Sequence, residues 1–125
     1  MITNYLIVSI GAAVGGALRY GLSNAVYRFL PAVFPYGTLV VNLLGSFLLG
    51  MILFLFDERE LLTQGTRLFL TIGFCGGFTT FSTFTFETFS LFRDSEYLLA
   101  FGNVLLNVTL CLAGVFLAFL LSKIF

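Results

Sequence analysis

Residues 76–84 read Gly-Gly-Phe-Thr-Thr-Phe-Ser-Thr-Phe, inside a long apolar run. Paired glycines loosen a helix, and the hydroxyls of Thr79, Thr80, Ser82 and Thr83 follow at once. A helix that only fills bilayer has no use for either. Hydrocarbon contains no water to satisfy freed backbone groups, so such a stretch is tolerated only against other protein or a wet cavity. It points to something polar crossing the membrane here.

Small and polar residues recur four apart elsewhere, which places them on one helix face. The sets are Gly11, Gly15 and Arg19; Thr38, Asn42 and Ser46; and Asn103, Asn107 and Cys111. Gly73 and Gly77 share a face, as do Thr80, Thr83 and Glu87. The Gly-x-x-x-Gly pairs most often mean close helix packing, and isolated Ser or Thr usually bonds back to its own helix. Intramembrane Asn is different. Its amide carries two donors and an acceptor, and leaving them unpaired in hydrocarbon is costly. One such Asn could be interhelical glue, but three, each on a polar stripe, favour a lined path.

Arg19 and Glu87 are the charges well inside apolar segments. Such residues face a bundle interior or water. Two settings fit them: a buried ion pair, or one residue at each mouth of a polar path. Phe81 and Phe84 flank the hydroxyls three residues apart. An aromatic ring has a negative face and a positive edge, so a ring edge can touch an anion without holding it as a full charge would. Ordinary packing is the default for any other Phe pair among the 17.

These groups are neutral donors. The stripes hold no mid-membrane carboxylate ring for a cation and no Lys or Arg cluster to trap a large anion. Conduction needs binding that is favourable but not deep, which suits a small, hard anion. Enzyme chemistry is not expected: the chain has no histidine, no metal-ligand cluster and no nucleophile–base pair.

The elements that must position these groups are membrane spans. Of the 125 residues 59% are hydrophobic and 10% charged, against about 25% charged in a soluble domain. The class is an all-α integral membrane protein of one domain, 1–125. With zero formal net charge, nothing suggests a nucleic-acid partner. A transmembrane helix needs about 20 apolar residues, and four segments qualify: roughly 2–30, 36–56, 68–92 and 97–122. Pro31 and Pro35 break continuity in the first connection. The first segment lacks a charged leader and a cleavage site, so it is expected to be retained. Cys75 and Cys111 look like small packing residues.

Lys and Arg in short loops set orientation. One side holds Arg59, Arg67 and Lys123; the other holds Arg28 and Arg93. So small a bias leaves two outcomes open: insertion both ways round, or one orientation fixed by other means. Four helices leave little room for a conduit within one copy, and symmetric oligomers are the common solution. With both orientations present, the natural assembly is an antiparallel dimer, equivalent to the inverted repeats of larger transporters.

Residues 76–84, with Gly-Thr-Leu-Val-Val-Asn-Leu-x-Gly at 37–45 and Gly-x-x-x-Arg at 15–19, resemble the Fluc (CrcB) fluoride channels over essentially the whole chain. The resemblance implies an antiparallel, dual-topology homodimer in the cell membrane, with a broken third helix and two fluoride pores. It implies that Phe81 and Phe84 are the pore phenylalanines, Asn42 the pore asparagine, and Ser82 and Thr83 the hydroxyls of the break. It implies that the backbone carbonyls of Gly76 and Thr79 hold a structural sodium ion (Na+) at the dimer interface. Arg19 and Glu87 correspond to the first-span arginine and the late third-span acid. The fourth-span track, often Tyr, Ser or Thr in that family, here reads Asn103, Asn107 and Cys111.

The expected function is passive export of cytoplasmic fluoride. A proton-coupled small multidrug-type transporter is the alternative, but it wants a first-span carboxylate and an aromatic cation cage. Here the first span holds Arg19, and the chain has no tryptophan. A non-transporting membrane subunit is a third class, which the polar stripes argue against.

Overall fold

The computed structural model describes residues 1–125, and its elements are all helical. Helix α1 is Ile2–Val26. Helix α2 is Tyr36–Met51 and runs on in wider turns over Ile52–Asp57. Helix α3 covers residues 64–78, α4 is Phe81–Arg93, and α5 is Tyr97–Ile124. Four segments are long and apolar enough to cross a membrane: Ile2–Val26, Tyr36–Asp57, Gln64–Arg93 and Tyr97–Ile124. The third of them is α3 and α4 together, so the break falls inside a span.

The ends of the elements are tied by side chains. Beyond Val26 the chain turns rather than continuing as helix to residue 30. The Tyr27 hydroxyl accepts the Gly37 N–H at 3.2 Å, satisfying one of the four donors that α2 leaves free at its start. Thr63 caps α3 by accepting the Thr66 N–H at 3.2 Å. Arg59 reaches the end of α5, donating to the carbonyls of Ser122 at 2.7 Å and Phe125 at 3.0 Å.

Helix α1 lies against α3 on its glycines. A Cβ on Gly11 would stand 2.6 Å from the Phe69 carbonyl oxygen, and one on Gly77 2.6 Å from that of Ala12. Those obstacles are backbone, which cannot move aside as a side chain can. Both Gly-x-x-x-Gly pairs therefore serve the close packing their spacing suggests. The facing part of α3, Phe69–Cys75, is wound in wider π-type turns, where an ordinary helix was expected. Such bulges are common next to functional sites. Helix α2 sits between α1 and α5, and α4 packs on α5. Val41, Ala100 and Ala118 are wholly enclosed at these contacts.

Candidate functional site

Thr79 and Thr80 interrupt the third span. Their backbones are extended, at φ −92°, ψ 163° and φ −152°, ψ 119°. Gly45 on α2 lets the break come close: a Cβ there would collide with the Thr79 methyl group and lie 3.2 Å from the Phe78 ring.

The backbone groups freed by the break are taken up by named partners. In a continuous helix the Thr80 N–H would bond the Gly76 carbonyl. Here it donates to Asn42 Oδ1 at 2.8 Å, and Asn42 Nδ2 donates back to the Thr80 carbonyl at 3.1 Å. One carboxamide thus pairs with both backbone groups of one extended residue, as a neighbouring strand would. Thr80 Oγ1 accepts the Thr83 N–H at 3.2 Å and caps α4. A continuous helix would have given that N–H to the Thr79 carbonyl. Arg19 Nε donates to the Gly77 carbonyl at 3.1 Å, close to the negative end of α3.

Two cavities meet at this point. The first, about 360 Å³, is lined by residues that include Asn42, Gly76, Thr79, Phe81, Phe84 and Asn107. The second, about 240 Å³, is lined by Gly16, Arg19, Tyr20, Ser23, Thr38, Thr80 and Thr83. Thr80 lines both.

The structure brings most of the sequence-selected residues to this break, though not to one surface. Phe81 is 75% exposed and Phe84 8% exposed, with ring centroids 5.5 Å apart and planes at 52°. Gly76 is exposed and Thr79 half-buried. Thr83 lines the second cavity, whereas Ser82 is exposed and lines neither. Asn103 and Asn107 are buried, and only Asn107 reaches the first cavity. Arg19 lines the second cavity and Glu87 lines neither. Arg19 and Glu87 form no ion pair, the two ion pairs being Arg67–Asp57 and Arg93–Asp94. Glu87 Oε1 is buried without a hydrogen-bond partner. Two contributions were not read from the sequence. Thr80, singled out there for its hydroxyl on a polar face, acts through its backbone as much. Thr88 is buried and receives the Asn103 amide at 2.9 Å; its only prior signal is its place four residues after Phe84.

A polar break between two cavities, within a bundle of four spans, defines a multi-pass membrane protein built around a path for small solutes. Irregular backbone at membrane depth is tolerated where it lines such a path. Comparison with known proteins narrows the class. Residues 6–119 match the family described as CrcB-like protein, Camphor Resistance (CrcB), and the chain belongs to that family. Curated relatives are named fluoride-specific ion channel FluC. That of Geobacter sulfurreducens is 49% identical over 112 residues, covering 90% of each chain. That of Magnetococcus marinus is 42% identical over 117 residues, covering 94% of this chain and 95% of its own. That of Coxiella burnetii is 44% identical over 121 residues, covering 96% and 98%.

Proposed function

We propose that this chain is a fluoride-selective channel that lets cytoplasmic fluoride leave passively across the cell membrane. The observation that carries this reading is the broken third span. Thr80 stands between two cavities, with Phe81 and Phe84 on the wall of the first and Thr83 on that of the second, and no carboxylate lines either. Relatives that are 42–49% identical are named as fluoride-specific ion channels, which supports the same ion. Hydrogen fluoride enters a cell neutral, dissociates, and leaves fluoride trapped until a pore releases it. Neutral donors would compensate a small anion for lost water without binding it too deeply to leave. The test is efflux from liposomes that contain only this protein. Fluoride should leave down its gradient and chloride should not. Flux that requires a proton gradient would favour a small multidrug-type transporter instead.

The working unit in this reading is an antiparallel homodimer around one structural sodium ion. The broken segment supports it, since Gly76 and Phe81 are exposed on the surface of a single chain. A freed backbone facing hydrocarbon is costly, and a second copy would cover it. The carbonyls of Gly76 and Thr79 fit a hard cation, which prefers oxygen ligands. Their helical donors are diverted, one to Asn42 and one to the Thr80 hydroxyl. Two carbonyls do not fill a coordination shell, and an inverted second copy would bring two more. Native mass spectrometry should find two chains with one sodium. A Lys123→Cys variant in sealed vesicles should be labelled in part from each face. A lone chain, or labelling from one face only, would sink the arrangement.

In the same reading Phe81, Phe84 and Asn42 would border the ion path, with Thr83 and Ser82 as further hydroxyls and Arg19 and Glu87 toward its mouths. Support comes from the cavities for all but Ser82 and Glu87.

A further inference from the structure

Three carboxamides and a hydroxyl run in one hydrogen-bonded line from α5 and α4 to the break. Asn42 Nδ2 donates to Asn107 Oδ1 at 3.2 Å, and Asn107 Nδ2 donates to Asn103 Oδ1 at 2.9 Å. Asn103 Nδ2 donates to Thr88 Oγ1 at 2.9 Å, and Thr88 Oγ1 donates to the Phe84 carbonyl at 2.8 Å. Asn103 and Thr88 are buried and Asn107 is 5% exposed, so the bonds among these three are shielded from water, while the Asn42–Asn107 bond is half-buried at the wall of the first cavity.

The direction of this line is not free. An amide nitrogen and oxygen are assigned from their partners, and here both ends are groups that cannot turn round. The Phe84 carbonyl only accepts, so it takes the one proton of Thr88. Thr88 must then accept from Asn103, which turns Asn103 Oδ1 toward Asn107. Asn107 must donate to it, which leaves Asn107 Oδ1 for Asn42. Asn42 therefore presents Nδ2 to Asn107 and Oδ1 to the Thr80 N–H, which only donates. The two ends demand the same polarity, and every link obeys it. An Asn42 amide turned the other way would set donor against donor at Thr80.

We propose that Thr88, acting through Asn103 and Asn107, is a positioning residue: it reinforces from the far end the Asn42 amide orientation that the Thr80 backbone demands, and so helps to hold Thr80 extended. Its consequence for flux rests on the channel reading above. Asn103, which lines neither cavity, then acts as a support of the break rather than as an ion contact. Asn107 Nδ2 already donates to the Asn103 carbonyl and Oδ1.

The test uses the full chain in liposomes, comparing Thr88→Val and Thr88→Ser. Valine keeps the shape and removes the hydroxyl; serine keeps the hydroxyl. The readouts are fluoride efflux and hydrogen exchange at the Thr80 N–H relative to neighbouring amides of α3. Thr88→Val should speed Thr80 exchange about tenfold over those neighbours and lower efflux about fivefold. Thr88→Ser should restore both. A role in packing alone would lower the melting temperature and leave the relative exchange of Thr80 unchanged, and that result overturns the proposal. Equal losses in both variants overturn it too. Should the wild type carry no fluoride, the channel reading falls and exchange at Thr80 still decides the proposal.

Discussion

Phe81→Ile is expected to cut fluoride efflux about tenfold or more, equivalent to about 1.4 kcal/mol of barrier, while the protein stays folded. Phe81 is 75% exposed on a single chain, so its replacement removes little packing within that chain, and any loss of stability should show in dimer assembly. Isoleucine keeps the bulk and loses the electropositive ring edge. Phe84→Ile should reduce efflux similarly but also cost about 1–3 kcal/mol, because Phe84 is buried and a reshaped core side chain leaves strain or a void. Phe89 supplies the control: it is exposed on α4 and lines neither cavity, so Phe89→Ile should leave efflux unchanged. Efflux per folded protein, with melting measured alongside, separates ring-edge chemistry from packing. Unchanged efflux in Phe81→Ile would remove the ring-edge argument.

The second large effect is expected from Asn42→Asp. The two side chains are nearly the same size, but an ionised carboxylate only accepts. The Thr80 carbonyl and Asn107 Oδ1, each now receiving an Asn42 N–H, would face another acceptor. Leaving a buried polar group unpaired costs about 1–3 kcal/mol, and an unpaired charge costs more. The break should lose its clamp. We expect efflux below about a tenth of wild type together with a lower melting temperature, since each tenfold step needs only about 1.4 kcal/mol. Thermal unfolding in detergent and liposome efflux check both parts. Wild-type efflux in Asn42→Asp would show that the Thr80 conformation does not depend on this amide.

Much of this architecture was legible in the sequence. Four apolar runs and two prolines outline the spans, because bilayer thickness fixes a minimum length. The paired glycines with their hydroxyls marked where the third span would open. Glycine spacing told which faces of α1 and α3 could touch. The roles of the asparagines were not legible. A four-residue spacing puts Asn103 and Asn107 on one face, but it is silent on whether their amides meet an ion or each other. That depends on Thr88 and Asn42 standing on α4 and α2 at the right height, which is a tertiary fact. For the same reason Arg19 and Glu87 could be imagined as a pair. The backbone of α3 offers Arg19 a carbonyl at Gly77 instead. The wide turns at Phe69–Cys75 also escape local rules, since nothing in Phe-Leu-Thr-Ile-Gly-Phe-Cys excludes an ordinary helix.

Thr80 belongs to the walls of both cavities, and this bears on voltage. A bilayer's hydrocarbon core is about 30 Å thick, while one extended residue spans about 3.3 Å. If the two cavities open to opposite aqueous faces and fill with water, the insulating layer would thin locally toward the second figure. The transmembrane potential would then fall across Thr80 and its immediate partners, as a field several-fold steeper than across plain lipid. The electrical work on a monovalent ion, about 2.3 kcal/mol per 100 mV, would be concentrated in one short passage beside the Asn42 clamp.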